Sequence, residues 1–170
     1  MASVQIGDIE RELAPDITVE DAARIETAPD LVTGQGEPDF VVGGGARSLI
    51  GINGDPYWLV TPLTDSDAAT KDRIVDAVSA ASERCLFVDE HGEELTEEER
   101  DREESWTVGY AAPIINGEHV ILYVDTDGEI GFTETDGQLS YPMIETMSVV
   151  LIEELARRQL SVRVSVKPAD

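Results

Sequence analysis

The sequence predicts an α+β fold: an antiparallel sheet of hairpins, two main amphipathic helices on one face of it, and an N-terminal arm. Three observations carry this. Asn53-Gly54, Asn116-Gly117, Asp127-Gly128 and Asp136-Gly137 punctuate β-rich runs, and such pairs favour tight hairpins over parallel crossovers. Two windows, one over 64–82 and one following Ser140, repeat apolar residues at helical spacing. Near the C-terminus, Val162, Val164 and Val166 alternate with Arg163 and Ser165, the period of a half-buried strand. The 170 residues suit an arm over 1–38 followed by a single α+β domain over 39–170.

The arm is punctuated by Pro15, Pro29, Gly34, Gly36 and Pro38. Ile6, Ile9 and Leu13 have helical spacing. A short helix is expected over 18–28, where Thr18 and Asp21 have capping-box spacing and Val19, Ala22, Ala23 and Ile25 make one apolar side. Each patch is small and needs a surface to lie on, either the parent domain or a neighbouring subunit. Ile6, Ile9, Leu13 and Ile25 are therefore the candidate partner-docking residues.

Strand character begins at Phe40-Val41-Val42 and resumes at 48–52, with Asn53-Gly54 turning the chain into a strand over 57–60. Pro56 and Pro62 flank that strand, which gives it sharp ends or an edge position. The helix over 64–82 is capped by Thr64 with Asp67, and Ile74, Val78 and Ala81 line its apolar side. A strand is expected over 84–88. Residues 89–104 hold ten acids and two arginines, so self-repulsion makes them a solvated loop or short exposed helix, with Thr96 as a cap.

A strand over 106–115 turns at Asn116-Gly117 into one over 119–124. The near-copies beginning at Asp125 and Glu134 predict a meander with Asp-Gly turns. Ser140 then caps the second main helix, with Pro142 in its first turn, where a missing N–H costs nothing. Ile144, Met147, Leu151 and Leu155 form its stripe, thickened by Val150 and Ile152, and Arg157 and Arg158 suit its C-terminal end.

Thirty-six acidic against 12 basic residues leave a net charge of −24. A nucleic-acid surface must neutralise phosphates, and an anionic membrane repels this chain, so neither is an expected partner. Only Lys71 and Lys167 are lysines; the other ten basic residues are arginines. In dilute buffer so many carboxylates repel one another, whereas in molar salt the Debye length falls to about 3 Å. The composition resembles that of proteins from salt-in halophilic archaea and their viruses. Neither a signal peptide nor a bilayer-spanning run is apparent.

No catalytic, cofactor or metal residues are assigned. Cys85 is the single cysteine and sits in Arg-Cys-Leu-Phe-Val, which suits a buried inert thiol. His91 and His119 lack metal-ligand spacing. The 125–136 window places Ile130 and Asp136 where an EF-hand requires Gly and Glu. Gly43-Gly44-Gly45 lacks the Gly-Lys-Ser/Thr ending of a phosphate-binding loop.

The stretch Val108-Gly109-Tyr110-Ala111-Ala112-Pro113, the run over 120–124, Phe132-Thr133-Glu134-Thr135-Asp136 and the helix to Ala156 resemble the end of a GAF domain. That resemblance spans residues 108–156 and implies a cytoplasmic sensor or regulatory module that binds a small ligand. The extra strand at 160–166 departs from the family pattern. Trp58, Tyr110 and Tyr123 would line the pocket over the sheet.

The expectation that unites charge, arm and edge-ready strands is a non-enzymatic assembly subunit of a halophile, most specifically a head or tail component of a tailed virus. Its partners are then protein, either itself or other subunits. Its location is the virion or the cytoplasm of a halophilic archaeon. The GAF-like module is the alternative.

Overall fold

The computed structural model describes residues 2–6, 9–27, 57–64, 67–88, 92–100, 110–125 and 141–167. The expected strands at 40–42 and 48–52, the Asn53-Gly54 turn and the meander over 125–139 lie outside the described residues.

Alternation builds the sheet. Strand β4 (Tyr57–Pro62) buries Trp58 and Val60, β6 (His119–Asp125) buries Val120, Leu122 and Val124, and β7 (Val162–Lys167) buries Val162, Val164 and Val166. Their alternate residues face away. Strand β5 (Tyr110–Asn116) joins β6 in a hairpin in which Asn116 pairs with His119. Its two turn residues are therefore Gly117 and Glu118, one position later than the expected pair. Gly117 alone takes positive φ, at 64°, which matches a type II′ turn with Gly first.

The five-stranded sheet has the order β3-β7-β4-β6-β5, where β3 is the three-residue strand Ile25–Thr27. All pairings are antiparallel except β3 with β7. Strand β4 is thus interior, not an edge: Pro62 is its last residue, where a missing donor does least harm to the ladder.

Helix α2 (Ala68–Cys85) starts later than expected. Its N-cap is Asp67, whose carboxylate accepts from the Thr70 N–H at 2.8 Å, and not Thr64. It also ends later. Ile74, Val78, Ala81 and Cys85 continue one buried stripe, so the helix takes the first two residues of the window expected to be a strand over 84–88. Only Val88 of that window forms a bridge, with Glu94. The short helix α3 (Glu97–Arg100) follows Thr96.

Helix α4 (Tyr141–Arg157) carries the expected stripe, and Ile144, Met147, Leu151 and Leu155 are all fully buried. It is more than amphipathic. Thr146, Ser148, Val149, Glu153 and Glu154 are buried as well, because α2, the sheet and the N-terminal segment surround it. It ends in a Schellman motif: Leu160 N–H donates to the Leu155 carbonyl, Gln159 N–H donates to Ala156, and Gln159 sits at φ 58°.

The N-terminal segment departs most from expectation. Ile6 and Ile9, spaced as if helical, are instead paired across a β-hairpin of β1 (Ser3–Ile6) and β2 (Ile9–Glu12). Helix α1 (Val19–Ala23) is capped by Thr18 as expected, but Ile25 begins β3 and does not extend the helix. Ala2, Leu13, Ile17 and Ile25 belong to the same core cluster as the helices and sheet.

Candidate functional site

The densest polar construction among the described residues lies where the N-terminal segment meets the ends of α2 and α4. Glu153 and Glu154 are only 6% and 7% exposed. Buried carboxylates require partners, and Arg84, in the last turn of α2, supplies them. Its guanidinium donates to Glu153 Oε1 and Glu154 Oε2, each at 2.8 Å, and to both oxygens of Glu94 at 2.9 Å. Glu153 Oε2 accepts from the Ala14 N–H at 2.7 Å. Glu154 also accepts from Arg157 and from Arg158. Arg157 reaches back to Asp16, with Nε to Oδ2 at 2.7 Å.

Burial pushes the Glu154 carboxyl up, but hydrogen bonds from Arg158 and Arg84 prevail and hold it below the ordinary carboxylate range. The Arg157 hydrogen bond likewise lowers Asp16. Burial opposes the charge on Arg84, but its three carboxylate partners leave the guanidinium more firmly protonated than usual. The cluster is a clasp that fixes residues 14–16 to two helix ends.

An open groove of about 580 Å³ lies at the N-terminus of α2, lined by Pro62, Leu63, Asp67, Lys71, Gly117 and Glu118. Asp67 is engaged as the N-cap, and the Lys71 ammonium donates to the Gly117 carbonyl.

The sheet face away from the helices carries cross-strand rows set by register. Ile114, Ile121 and Leu59 make one row, and Ala112, Tyr123 and Tyr57 the next. Leu59, Ile121, Tyr57 and Tyr123 are half-buried. On the edge strand β5, Ile114 is 44% exposed and Ile115 57% exposed. Pro113 removes one donor from the middle of that strand, which blunts it against addition of a further strand.

Of the candidate docking residues, Leu13 and Ile25 are buried in the chain's own core and are not offered to a neighbour. Ile6 and Ile9 are register partners in the hairpin; their side chains lie outside the described residues. Trp58 and Tyr123, expected with Tyr110 to line one pocket over the sheet, do not share one; the Tyr110 side chain lies outside the described residues. Trp58 pairs with Leu122 and Tyr57 with Tyr123, so Trp58 and Tyr123 face opposite sides of the sheet. Trp58 is fully buried, its indole N–H donating to Ser148 Oγ at 2.8 Å.

Cys85 is fully buried, and burial pushes its thiol up, away from thiolate reactivity. His119 Nδ1 shares a 3.0 Å hydrogen bond with Thr61 Oγ1. His91 lies outside the described residues. Among the described residues no cluster of three or more His, Cys, Asp and Glu is placed to hold a metal, and no helix is long and apolar enough to cross a membrane.

Sequence reasoning missed the clasp. A signal for half of it exists: Glu153-Glu154 interrupts a helix with almost no polar face, so these carboxylates need partners. Nothing local identifies Arg84 as that partner. No protein family, curated protein or solved structure matches the chain.

Proposed function

We propose that the protein is a non-enzymatic assembly subunit of a halophile, most specifically a head or tail component of a tailed virus. The observation that carries this reading is the pair Ile114 and Ile115, two consecutive large apolar side chains exposed on opposite faces of the outermost described strand of an otherwise strongly charged chain. Side chains on both faces of β5 suit contact with neighbouring subunits, while Pro113 disfavours open-ended strand addition. The acid surplus supports the saline setting. Arg11, Arg24, Arg84, Arg157, Arg158 and Arg163 are all engaged with carboxylates, so the described surface has little cationic character.

Light scattering in molar salt tests the reading. The expected mass is that of a ring or larger closed set of the 18.5 kDa chain, reduced by Ile114→Asp with Ile115→Asp while the unfolding transition is retained. A parent that is monomeric or dimeric at every concentration refutes it.

The second reading is a GAF-like sensor. Tyr57, Leu59, Ile121 and Tyr123, half-buried on the sheet face opposite Trp58, favour it as a small-ligand platform. It predicts a monomer or dimer whose melting temperature rises with a cognate small molecule.

A further inference from the structure

Asn116-Gly117 stands at the end of the β5–β6 hairpin, and this pair carries chemistry beyond its turn. An asparagine followed by glycine can react with itself. The glycine's backbone nitrogen adds to the asparagine's side-chain carbonyl carbon, because no Cβ shields that nitrogen. A fold suppresses the reaction when it holds the carboxamide by hydrogen bonds or ties the nitrogen into a ladder.

Neither restraint operates at this site. Asn116 and Gly117 are both exposed. The Asn116 carboxamide has no hydrogen-bond partner among the described residues. Ladder pairing ends with Asn116 opposite His119, so the Gly117 nitrogen lies outside it. Gly117 takes φ 64°, and even a Cβ added there would meet nothing within 4 Å, so the turn has room for the movement that ring closure needs. The Lys71 ammonium, donating to the Gly117 carbonyl, sets a positive charge near the nitrogen that must lose its proton.

We propose that Asn116 is a site of self-modification in the folded protein. The Gly117 nitrogen gives up its proton and bonds to Asn116 Cγ. The Cγ–Nδ2 bond breaks, and the amide nitrogen leaves as ammonia. The product is a cyclic imide that spans the two residues. Water then opens the imide: attack at Cγ leaves aspartate at position 116, and attack at the main-chain carbonyl leaves iso-aspartate. Water is the only co-reactant, and nothing is oxidised or reduced. Either product adds a negative charge at the end of β5. The iso-aspartyl form also adds a carbon to the main chain beside the closing pair, which alters the turn that sets the hairpin's register.

The full chain is held folded in molar salt at mildly alkaline pH for weeks, beside the same chain unfolded in guanidinium chloride. Both are then cleaved, and the peptide holding Asn116 is weighed apart from the one holding Asn53-Gly54. The expected result is a folded protein whose Asn116 peptide gains the mass difference between a carboxyl and a carboxamide. That gain resolves chromatographically into aspartyl and iso-aspartyl forms, and it accrues at nearly the rate seen in the unfolded chain. Asn116→Gln keeps a carboxamide but disfavours ring closure, so its peptide is expected to keep its mass. An Asn116 peptide that stays unchanged in the folded protein overturns the proposal, whether or not the unfolded chain converts. An equal gain in the Asn116→Gln variant overturns it too, because the change then arises elsewhere in the peptide.

Discussion

Arg84 Nη2 lies 2.8 Å from Glu153 Oε1, tying the last turn of α2 to a carboxylate in the core-facing surround of α4. Breaking such a pair strands a buried charge, whereas replacing both partners by apolar groups is often neutral. Arg84→Met is expected to cost about 3 kcal/mol, and Arg84→Met with Glu153→Met to recover only part of that loss, because the Ala14 N–H then lacks its acceptor. Urea unfolding in molar salt measures both. A single variant within about 0.5 kcal/mol of the parent, as for an ordinary surface change, would refute the clasp.

Glu154 and Asp16 both have depressed carboxyl values, so their contribution to stability is present above the unfolded-state values. It is lost as pH falls through the folded-state values. In dilute buffer, protonation also relieves repulsion among the many surface acids, an opposing effect. Molar salt screens that repulsion and leaves the paired groups dominant. Melting temperature in molar salt is therefore expected to fall as pH drops below about 4, and Glu154→Gln to flatten the fall. A profile that rises steadily toward acid in molar salt contradicts this.

Trp58 Nε1 donates to Ser148 Oγ, which itself donates to the Ile144 carbonyl at 2.8 Å. Both side chains are fully buried. Ser148→Ala leaves an indole N–H without an acceptor, and the expected loss is about 1–3 kcal/mol. Ser148→Thr keeps the hydroxyl but adds a methyl group to a packed site, so it tests overpacking separately. Chemical unfolding followed by tryptophan emission reads both variants. Parent-like stability in Ser148→Ala shows that the bond contributes nothing net.

Gln159 holds φ 58° in the Schellman turn that ends α4. A side chain there pays a steric cost that glycine avoids, partly offset by glycine's greater freedom in the unfolded chain. Gln159→Gly is expected to stabilise by about 0.5 kcal/mol, and Gln159→Val to destabilise by more than that. Thermal melts compare the two. Equal melting temperatures would mean the turn relaxes out of the left-handed region.

Patterns confined to a short window were legible. Ile144, Met147, Leu151 and Leu155 repeat at the helix period, and Val162, Val164 and Val166 at the strand period, so both elements emerged from spacing alone. Where two periods agree over a few residues, spacing misled. Ile6, Ile9 and Leu13 fit a helix face, yet a hairpin places Ile6 opposite Ile9. The apolar run after Arg84 has strand composition, yet Cys85 completes the stripe of α2. In each case packing against distant residues outweighed local preference.

The amino-acid order by itself determined the α+β class and the main helix and strand faces, because periodicity is a property of neighbours along the chain. Tertiary structure alone decided that β7 enters between β3 and β4, that Arg84 meets Glu153 and Glu154, and that Trp58 and Tyr123 look away from each other. Tertiary contacts bring together residues as far as 141 positions apart, as in the Asp16–Arg157 pair. Which distant groups meet is decided by the burial and pairing of the whole chain against the entropy of closing long loops, a balance that no local stretch of sequence contains.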